Sequence, residues 1–204
     1  MTRISNLENS RRYDNSLREE QAEETRGRIL DAAIRVIAGG IATASVPASA
    51  REAGVSVPTV YRHFGTKTDL LAAVYPHVAR RAGLDRLPDP TSLDDLKERI
   101  GLIFERADAL DALDRAAMAS PAAAAVRSAT MPSRLARLRR LTDAVGVDLS
   151  AADRERLTRL LAVVTASASL RMWRDHLGAS VEQAAGDIDF MVRALVTASE
   201  KDKQ

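Results

Sequence analysis

The stretch "AGVSVPTVYRHFGTKTDLL" (residues 53–71) alternates turn-forming residues with apolar ones, and it decides how the rest of the chain is interpreted. Gly54 and Gly65 lie on either side of a short segment, residues 57–64, that follows Ser56. Serine is a favoured residue immediately before a helix, and glycine is favoured immediately after one. The sequence therefore predicts a helix of about two turns over residues 57–64.

The two sides of this short helix differ in character. At about 100° per residue, Val57, Val60 and Phe64 fall on one side, and Tyr61 falls at its edge. The other side carries Pro58, Thr59, Arg62 and His63. Ser56 is expected to cap the backbone N–H of Thr59. The pattern predicts that the apolar side anchors the helix to its own domain and that the outer side is open to a partner.

A second short helix precedes this one and is expected to span residues 45–53, with Ser45 as its N-cap. The two helices are joined through Gly54 and Val55. Two short helices joined by a tight turn with glycine are typical of a helix-turn-helix, whose second helix enters the DNA major groove. Spacing alone leaves the function open, because other helical proteins also contain glycine-joined helix pairs.

The remainder of the chain also shows helical periodicity, with no strand pattern of period two, so the predicted fold class is all-α. Residues 1–21 are polar and lack periodicity, and we expect a mobile tail there. The clearest break is "LPDPTS" (residues 87–92), which indicates a domain boundary. The other predicted helices span residues 23–38, 67–86, 92–108, 110–119, 122–129, 133–145, 150–177 and 180–200.

Composition excludes several classes of protein. The chain has 204 residues, a formal charge of +2 and no cysteine, so thiolate metal sites and disulfides are excluded. The three histidines, at positions 63, 77 and 176, share no metal-ligand spacing, and we expect neither a metal nor a cofactor. No segment has the length of a membrane span or the character of a secretory signal. We therefore expect a cytoplasmic protein without a membrane partner.

The segments "TRGRILDAAIRVIAGGIATASV" (residues 25–46) and "AREAGVSVPTVYRHFGTKTDLLAAVY" (residues 50–75) resemble the N-terminal domain of the tetracycline-repressor (TetR) family of bacterial transcription regulators. The positions that carry the resemblance are Gly54, Val55, Tyr61, Phe64, Lys67 and Leu70. The resemblance implies a DNA-binding domain over residues 22–86, with the helix-turn-helix at about 45–64. It also implies a ligand-binding and dimerisation domain over residues 87–204.

The resemblance further implies a homodimer on a palindromic double-stranded DNA operator, and most members are repressors that a ligand releases. Ser45 is then expected to touch phosphate, and Tyr61 and Lys67 to grip the DNA backbone. The residues expected to face the bases are Val57, Pro58, Thr59, Arg62 and His63, and Ser56 completes the DNA-binding set as the cap. Two other assignments stay open. Arg62 could pair with Asp69, and Tyr61 could be a core aromatic with an exposed hydroxyl, which is compatible with a backbone contact.

A small-molecule site is the least defined feature of the sequence. The bulky or adaptable side chains that could form it are Phe104, Met118, Met131, Met172, Trp173 and His176. Side chains of this kind are more often core residues than pocket residues. The low aromatic content, 3%, indicates aliphatic walls and an apolar or amphipathic effector.

The predicted dimer seam consists of Leu157, Leu160, Leu161, Val164, Ala168, Ile188, Met191, Val192 and Leu195.

Functions other than a ligand-released repressor fit the sequence to different degrees. An activator of the same fold has the same sequence features. A helical enzyme is not expected, because the chain shows no nucleophile–base set, no carboxylate pair and no glycine-rich phosphate loop. A purely structural adaptor would leave the outer-face residues Thr59, Arg62 and His63 unexplained.

Overall fold

Helices make up every regular element in the computed structural model, which describes residues 3–39, 45–145 and 149–201. The predicted all-α class is confirmed. The elements are α1 (Arg3–Ala38), α2 (Val46–Ala53), α3 (Val57–Phe64), α4 (Lys67–Arg81), a 3₁₀ turn (Leu84–Arg86), α5 (Leu93–Asp108), α6 (Ala112–Ala119), α7 (Pro121–Val145), α8 (Ala151–Val164), α9 (Ser167–Arg171), a π-helical turn (Met172–His176) and α10 (Val181–Lys201).

The amino-terminal helix is longer than its sequence pattern predicts. α1 begins at Arg3, whereas the pattern predicts a start near Glu23 and a tail over residues 1–21. Residues 16–24 are all exposed, so this part of the helix has no buried stripe that periodicity could detect. Leucine, arginine, glutamate, glutamine and alanine favour the helix by intrinsic propensity instead.

Three predicted helix boundaries after residue 67 are wrong, and two of them involve proline or glycine. α7 runs unbroken through Pro132, where the sequence predicts two helices; a helix can pass through a proline at the loss of one backbone hydrogen bond. α4 ends at Arg81, short of the predicted residue 86, because Gly83 adopts a left-handed φ of 69°.

The helix expected over residues 150–177 is also interrupted, and two hydroxyl side chains bond backbone carbonyls at the interruption. α8 ends at Val164. The Thr165 hydroxyl donates to the Leu161 carbonyl at 2.7 Å, and the Ser169 hydroxyl donates to the Val163 carbonyl at 2.6 Å. The last helix begins with a capping box, since the Ser180 N–H donates to the Gln183 side chain and the Gln183 N–H donates to Ser180 Oγ.

The chain forms two compact units, and the division differs from the expected boundary at residues 87–92. The first unit joins the chain up to Val78 with residues Asp111–Val126. In this unit α1 contacts α2 and α6, and α2 contacts α3. Its buried apolar side chains include Ile29, Leu30, Ala33, Ile34, Ile37, Val46, Ala50, Val60, Phe64, Leu70, Val74 and Val78.

The second unit comprises Ala79–Leu110 and the chain from Arg127 onward. Within it α5 contacts α9 and α10, and α10 contacts α8. Its core includes Leu96, Ile100, Phe104, Leu138, Leu141, Leu157, Leu161, Leu170, Ile188 and Val192. The predicted dimer seam is therefore wrong at Leu157, Leu161, Ile188 and Val192, which are buried inside the protomer. Within the described ranges, no helix has both the length and the hydropathy to cross a bilayer.

Candidate nucleic-acid interface

The turn between α2 and α3 requires glycine. Ser45 caps α2 by accepting a hydrogen bond from the Ala48 N–H at 3.2 Å. Gly54 ends α2 with φ 66° and ψ 34°, a left-handed conformation that favours glycine. The Val55 N–H then donates to the Ala50 carbonyl at 2.9 Å. These contacts close the tight turn predicted from the sequence.

Both ends of α3 are fixed by local hydrogen bonds. Ser56 Oγ accepts from the Thr59 N–H at 3.2 Å, and the two hydroxyl oxygens lie 2.8 Å apart. At the other end the Gly65 N–H donates to the Tyr61 carbonyl at 2.7 Å, and Gly65 adopts φ 71°. The predicted Ser56 cap is confirmed. The Thr59 hydroxyl shares a hydrogen bond with Ser56 and is less free than its sequence position indicates.

The two faces of α3 are separated by burial as its sequence predicts. Val60 is 1% exposed and Phe64 is 6% exposed, so these two residues anchor the helix. Tyr61 is 46% exposed, so the interpretation of Tyr61 as a core aromatic is wrong. Pro58 and Arg62 are also exposed, whereas Val57, Thr59 and His63 are half-buried. The outer face is therefore a ridge of exposed side chains with half-buried polar groups along its base.

Arg62 does not form the ion pair with Asp69 that the sequence left open. The Asp69 carboxylate accepts the Thr66 hydroxyl at 2.7 Å, and the Asp69 N–H donates to Thr66 Oγ1 at 3.1 Å. Among the residues that the structure describes, no carboxylate lies within ion-pair distance of Arg62. Its guanidinium is thus open to a partner.

The surroundings of His63 favour its neutral form. Partial burial lowers the pKa of its imidazole, and the positive charges of Arg62 and Arg26 lower it further, while Glu23 opposes them. A neutral imidazole offers one hydrogen-bond donor and one acceptor, whereas an imidazolium offers two donors. His63 therefore presents both functions near the outer face of α3.

Lys67 is the first residue of α4 and is exposed. A cation at a helix N-terminus opposes the helix dipole, which favours an anion there. In the described ranges no carboxylate pairs with this ammonium group. The position is suited to a phosphate.

Polar side-chain contacts join α1 to α2, α3 and α4. Arg35 of α1 pairs with Glu52 of α2 at 2.7 Å, and His77 of α4 lies 2.9 Å from Asp31 of α1. Sequence reasoning missed a third contact, made by Arg26, whose Nη1 donates to the His63 carbonyl at 3.0 Å. The sequence does carry a signal for this contact. Arg26, Leu30 and Ala33 follow the i, i+4, i+7 spacing of one helix face, which indicates that Arg26 lies on the buried side of α1.

The six side chains predicted for a ligand pocket do not form one group in the structure. Met118 belongs to the first unit, and the other five belong to the second. Phe104 is fully buried in the second core, and Trp173 packs against that core. Met131 is half-buried, and Met172 and His176 are exposed.

A cavity of about 550 Å³ lies between α5 and α10, and none of those six side chains lines it. Its lining is Asp94, Lys97, Glu98, Gly101, Glu105, Val181, Glu182 and Ala185. In the part of the chain that the structure describes, no group of three or more histidines and carboxylates is arranged to hold a metal ion.

A glycine-joined helix pair with one buried face and one exposed polar face, set in an all-α chain, defines a helix-turn-helix protein. Residues 29–74 match the family model described as bacterial regulatory proteins, tetR family. Residues 29–74 are therefore similar to the part of TetR-family transcription regulators that this model describes.

Two curated proteins show the same similarity. The chain is 44% identical over 70 residues to the HTH-type transcriptional regulator SrpR of Pseudomonas putida. The aligned residues cover 34% of this chain and 33% of SrpR. It is 43% identical over 70 residues to the HTH-type transcriptional regulator TtgW, also of Pseudomonas putida, covering 34% of this chain and 52% of TtgW. The matches thus span about a third and about half of the length of these curated relatives.

A solved structure shows the same fold over more of the chain. A transcriptional regulator from Rhodococcus sp. Rha1 superimposes with a TM-score of 0.55 at 23% identity, covering 86% of this chain and 97% of that one. The likeness therefore extends beyond residues 29–74 to the second unit, as a likeness of fold.

Proposed function

We propose that the chain regulates transcription by binding a double-stranded DNA operator, with α3 in the major groove. The observation that carries the proposal is the division of α3 into a buried side, Val60 and Phe64, and an exposed side, Tyr61 and Arg62. An α-helix fits the major groove, where base pairs present distinct patterns of donors and acceptors. Such a regulator would act on chromosomal DNA in the cytoplasm.

The roles proposed for individual residues follow their exposure and chemistry. Arg62 is assigned to a guanine, because its free guanidinium can donate two parallel hydrogen bonds to O6 and N7. Val57, Pro58, Thr59 and His63 would face the neighbouring base edges. Ser45, Tyr61 and Lys67 would contact phosphates, and Ser56 would hold the start of α3 in place.

We also propose that the protein acts as a homodimer. Large apolar side chains remain exposed on α8 and α10: Leu160 at 36%, Val163 at 65%, Phe190 at 74% and Leu195 at 37%. Clustered exposed apolar surface marks interaction sites. A two-fold dimer would place two α3 helices on half-sites about 34–36 Å apart.

Repression released by a small apolar or amphipathic molecule is the regulatory mode we propose, and activation by the same fold is the alternative. The similarity of residues 29–74 to the family is the observation that supports this proposal. An effector can weaken operator binding only if it binds the DNA-free conformation more tightly. A compound that binds the second unit and leaves operator affinity unchanged would count against an effector role for that compound.

Selection from fragmented genomic DNA tests the proposed function directly. The full chain is incubated with mixed fragments, and the bound fraction is sequenced. One enriched palindrome supports a regulator, whereas uniform recovery of all fragments, or none, contradicts it. Transcription from the selected operator with and without the protein then separates repression from activation.

Replacing Lys67 by alanine should weaken operator and random DNA about equally. The proposed phosphate contact carries no sequence information, so its removal lowers affinity without changing preference. The slope of log affinity against log salt should fall by about one for each phosphate that the lysine no longer neutralises. Lys97→Ala, which removes an exposed lysine of the second unit, is the matched control and should leave the slope unchanged. Weakening confined to the operator would contradict a phosphate role.

A further inference from the structure

Arg26 of α1 holds the carboxyl end of α3. Its Nη1 donates to the His63 carbonyl at 3.0 Å, and its guanidinium carbon lies 4.3 Å from the centre of the Phe64 ring. The contact joins residues 37 positions apart in the chain. One side chain therefore makes both a polar and a stacking contact with the last turn of α3.

The last turn of α3 needs such a partner for two reasons. The final carbonyls of a helix have no intrahelical donor, and they form the negative end of its dipole, where a cation is stabilising. A helix of eight residues is also too short to be stable by itself. Its direction therefore depends on tertiary contacts, and the Arg26 contact is made at His63 itself, next to Arg62.

We propose that Arg26 is a positioning residue for DNA recognition, fixing the direction of α3 through the His63 carbonyl and the Phe64 ring without contacting DNA itself. This inference rests on the proposed DNA-binding function. Side chains that contact base edges must be held within about 0.5 Å and 10–20° of their working geometry. A loosened last turn would move Arg62 and His63 together. The affinity for the operator would then fall more than the affinity for random DNA.

Binding measurements with three variants of the full chain test the proposal. Arg26→Ala removes both contacts, Arg26→Lys keeps a charged donor without the planar group, and Arg28→Ala removes an exposed arginine of the same helix as the matched control. We expect Arg26→Ala to weaken operator binding about tenfold. Its affinity for random DNA and its salt slope should stay at the wild-type values. Arg26→Lys should fall between the wild type and the alanine variant.

The imidazole of His63 provides a readout that does not depend on DNA. Partial burial lowers the pKa of His63, the positive charges of Arg62 and then Arg26 lower it further, and Glu23 raises it. Following the ring protons of His63 by NMR against pH, we expect Arg26→Ala to raise that pKa. Arg28→Ala should leave it unchanged. A His63→Gln spectrum identifies the His63 signals among those of the three histidines.

Two results would overturn the proposal. If Arg26→Ala weakens operator and random DNA alike and lowers the salt slope, Arg26 contacts phosphate. If it leaves operator affinity unchanged while the wild type binds, Arg26 has no positioning role. Failure of the wild-type protein to select any operator would instead defeat the proposed function. If a thermal melt shows that Arg26→Ala does not fold, the affinities of Arg26→Lys for the operator and for random DNA are compared instead.

Discussion

Replacing Arg62 by alanine should weaken binding to the cognate operator by about 1–3 kcal/mol for each half-site, and by nearly twice that for a dimer that engages both. Arg62 is exposed, and among the described residues no carboxylate pairs with it. Its guanidinium breaks no internal ion pair when it binds a guanine. The weaker binding should be accompanied by relaxed preference at one base pair in each half-site.

Affinities for a set of operators, each altered at one base pair, measure this effect. Arg62→Lys is the control for charge, because lysine retains the positive charge but lacks the planar fork that binds guanine with two hydrogen bonds. The lysine variant should recover affinity for random DNA without recovering the base preference. Equal weakening of operator and random DNA by Arg62→Ala would show that Arg62 contacts the backbone. Specificity would then come from Thr59, His63 or the shape of the operator.

The substitution at Arg62 should barely change the free energy of unfolding. Exposed side chains outside caps and ion pairs contribute within about 0.5 kcal/mol of zero. An unchanged thermal melt would therefore assign the reduced affinity to the interface itself.

The helix-turn-helix could be predicted from the sequence because its determinants are local. Ser45 and Ser56 cap the helices that they precede, and Gly54 and Gly65 end them, each within four residues of its partner. The buried and exposed sides of α3 follow from helix geometry alone. Capping, glycine termination and helix geometry depend on neighbouring residues and not on distant parts of the chain.

Features that depend on distant residues could not be predicted in the same way. The contact of Arg26 with the end of α3 spans 37 positions, and the Arg35–Glu52 contact spans 17. Periodicity marks Arg26 as lying on the buried stripe of α1, but it does not identify which carbonyl the guanidinium reaches. The two sides of α3 were therefore predictable while the support of its last turn was not.

The second unit shows why a helical stripe does not identify its own partner. Leu157, Leu161, Ile188 and Val192 form a regular apolar pattern, and the structure buries all four inside the protomer. The same pattern would suit a dimer seam equally well. The exposed apolar residues Val163 and Phe190 lie on the other side of α8 and α10 from that stripe. The pattern alone does not show which side packs inside the protomer.

Replacing Phe190 by aspartate should separate the proposed homodimer into monomers. Phe190 is the most exposed of the large apolar side chains on α10, at 74%, so it contributes little to the core of its own protomer. Aromatic residues at the centre of an interface commonly contribute about 2 kcal/mol or more. Two-fold symmetry introduces the change twice and brings two carboxylates into an apolar interface. The dimer dissociation constant should rise by about a thousandfold.

Sedimentation at micromolar concentration measures this change in association for Phe190→Asp. Leu113→Asp, which places the same charge on an apolar side chain of the first unit that is 40% exposed, is the matched control and should remain dimeric. Operator affinity should fall with the dimer, because a monomer engages one half-site and forgoes the gain of about 10²–10⁴ that linked binding provides. A Phe190→Asp protein that still sediments as a dimer would place the interface elsewhere. A wild-type monomer that binds the operator at full affinity would remove the dimer from the proposal altogether.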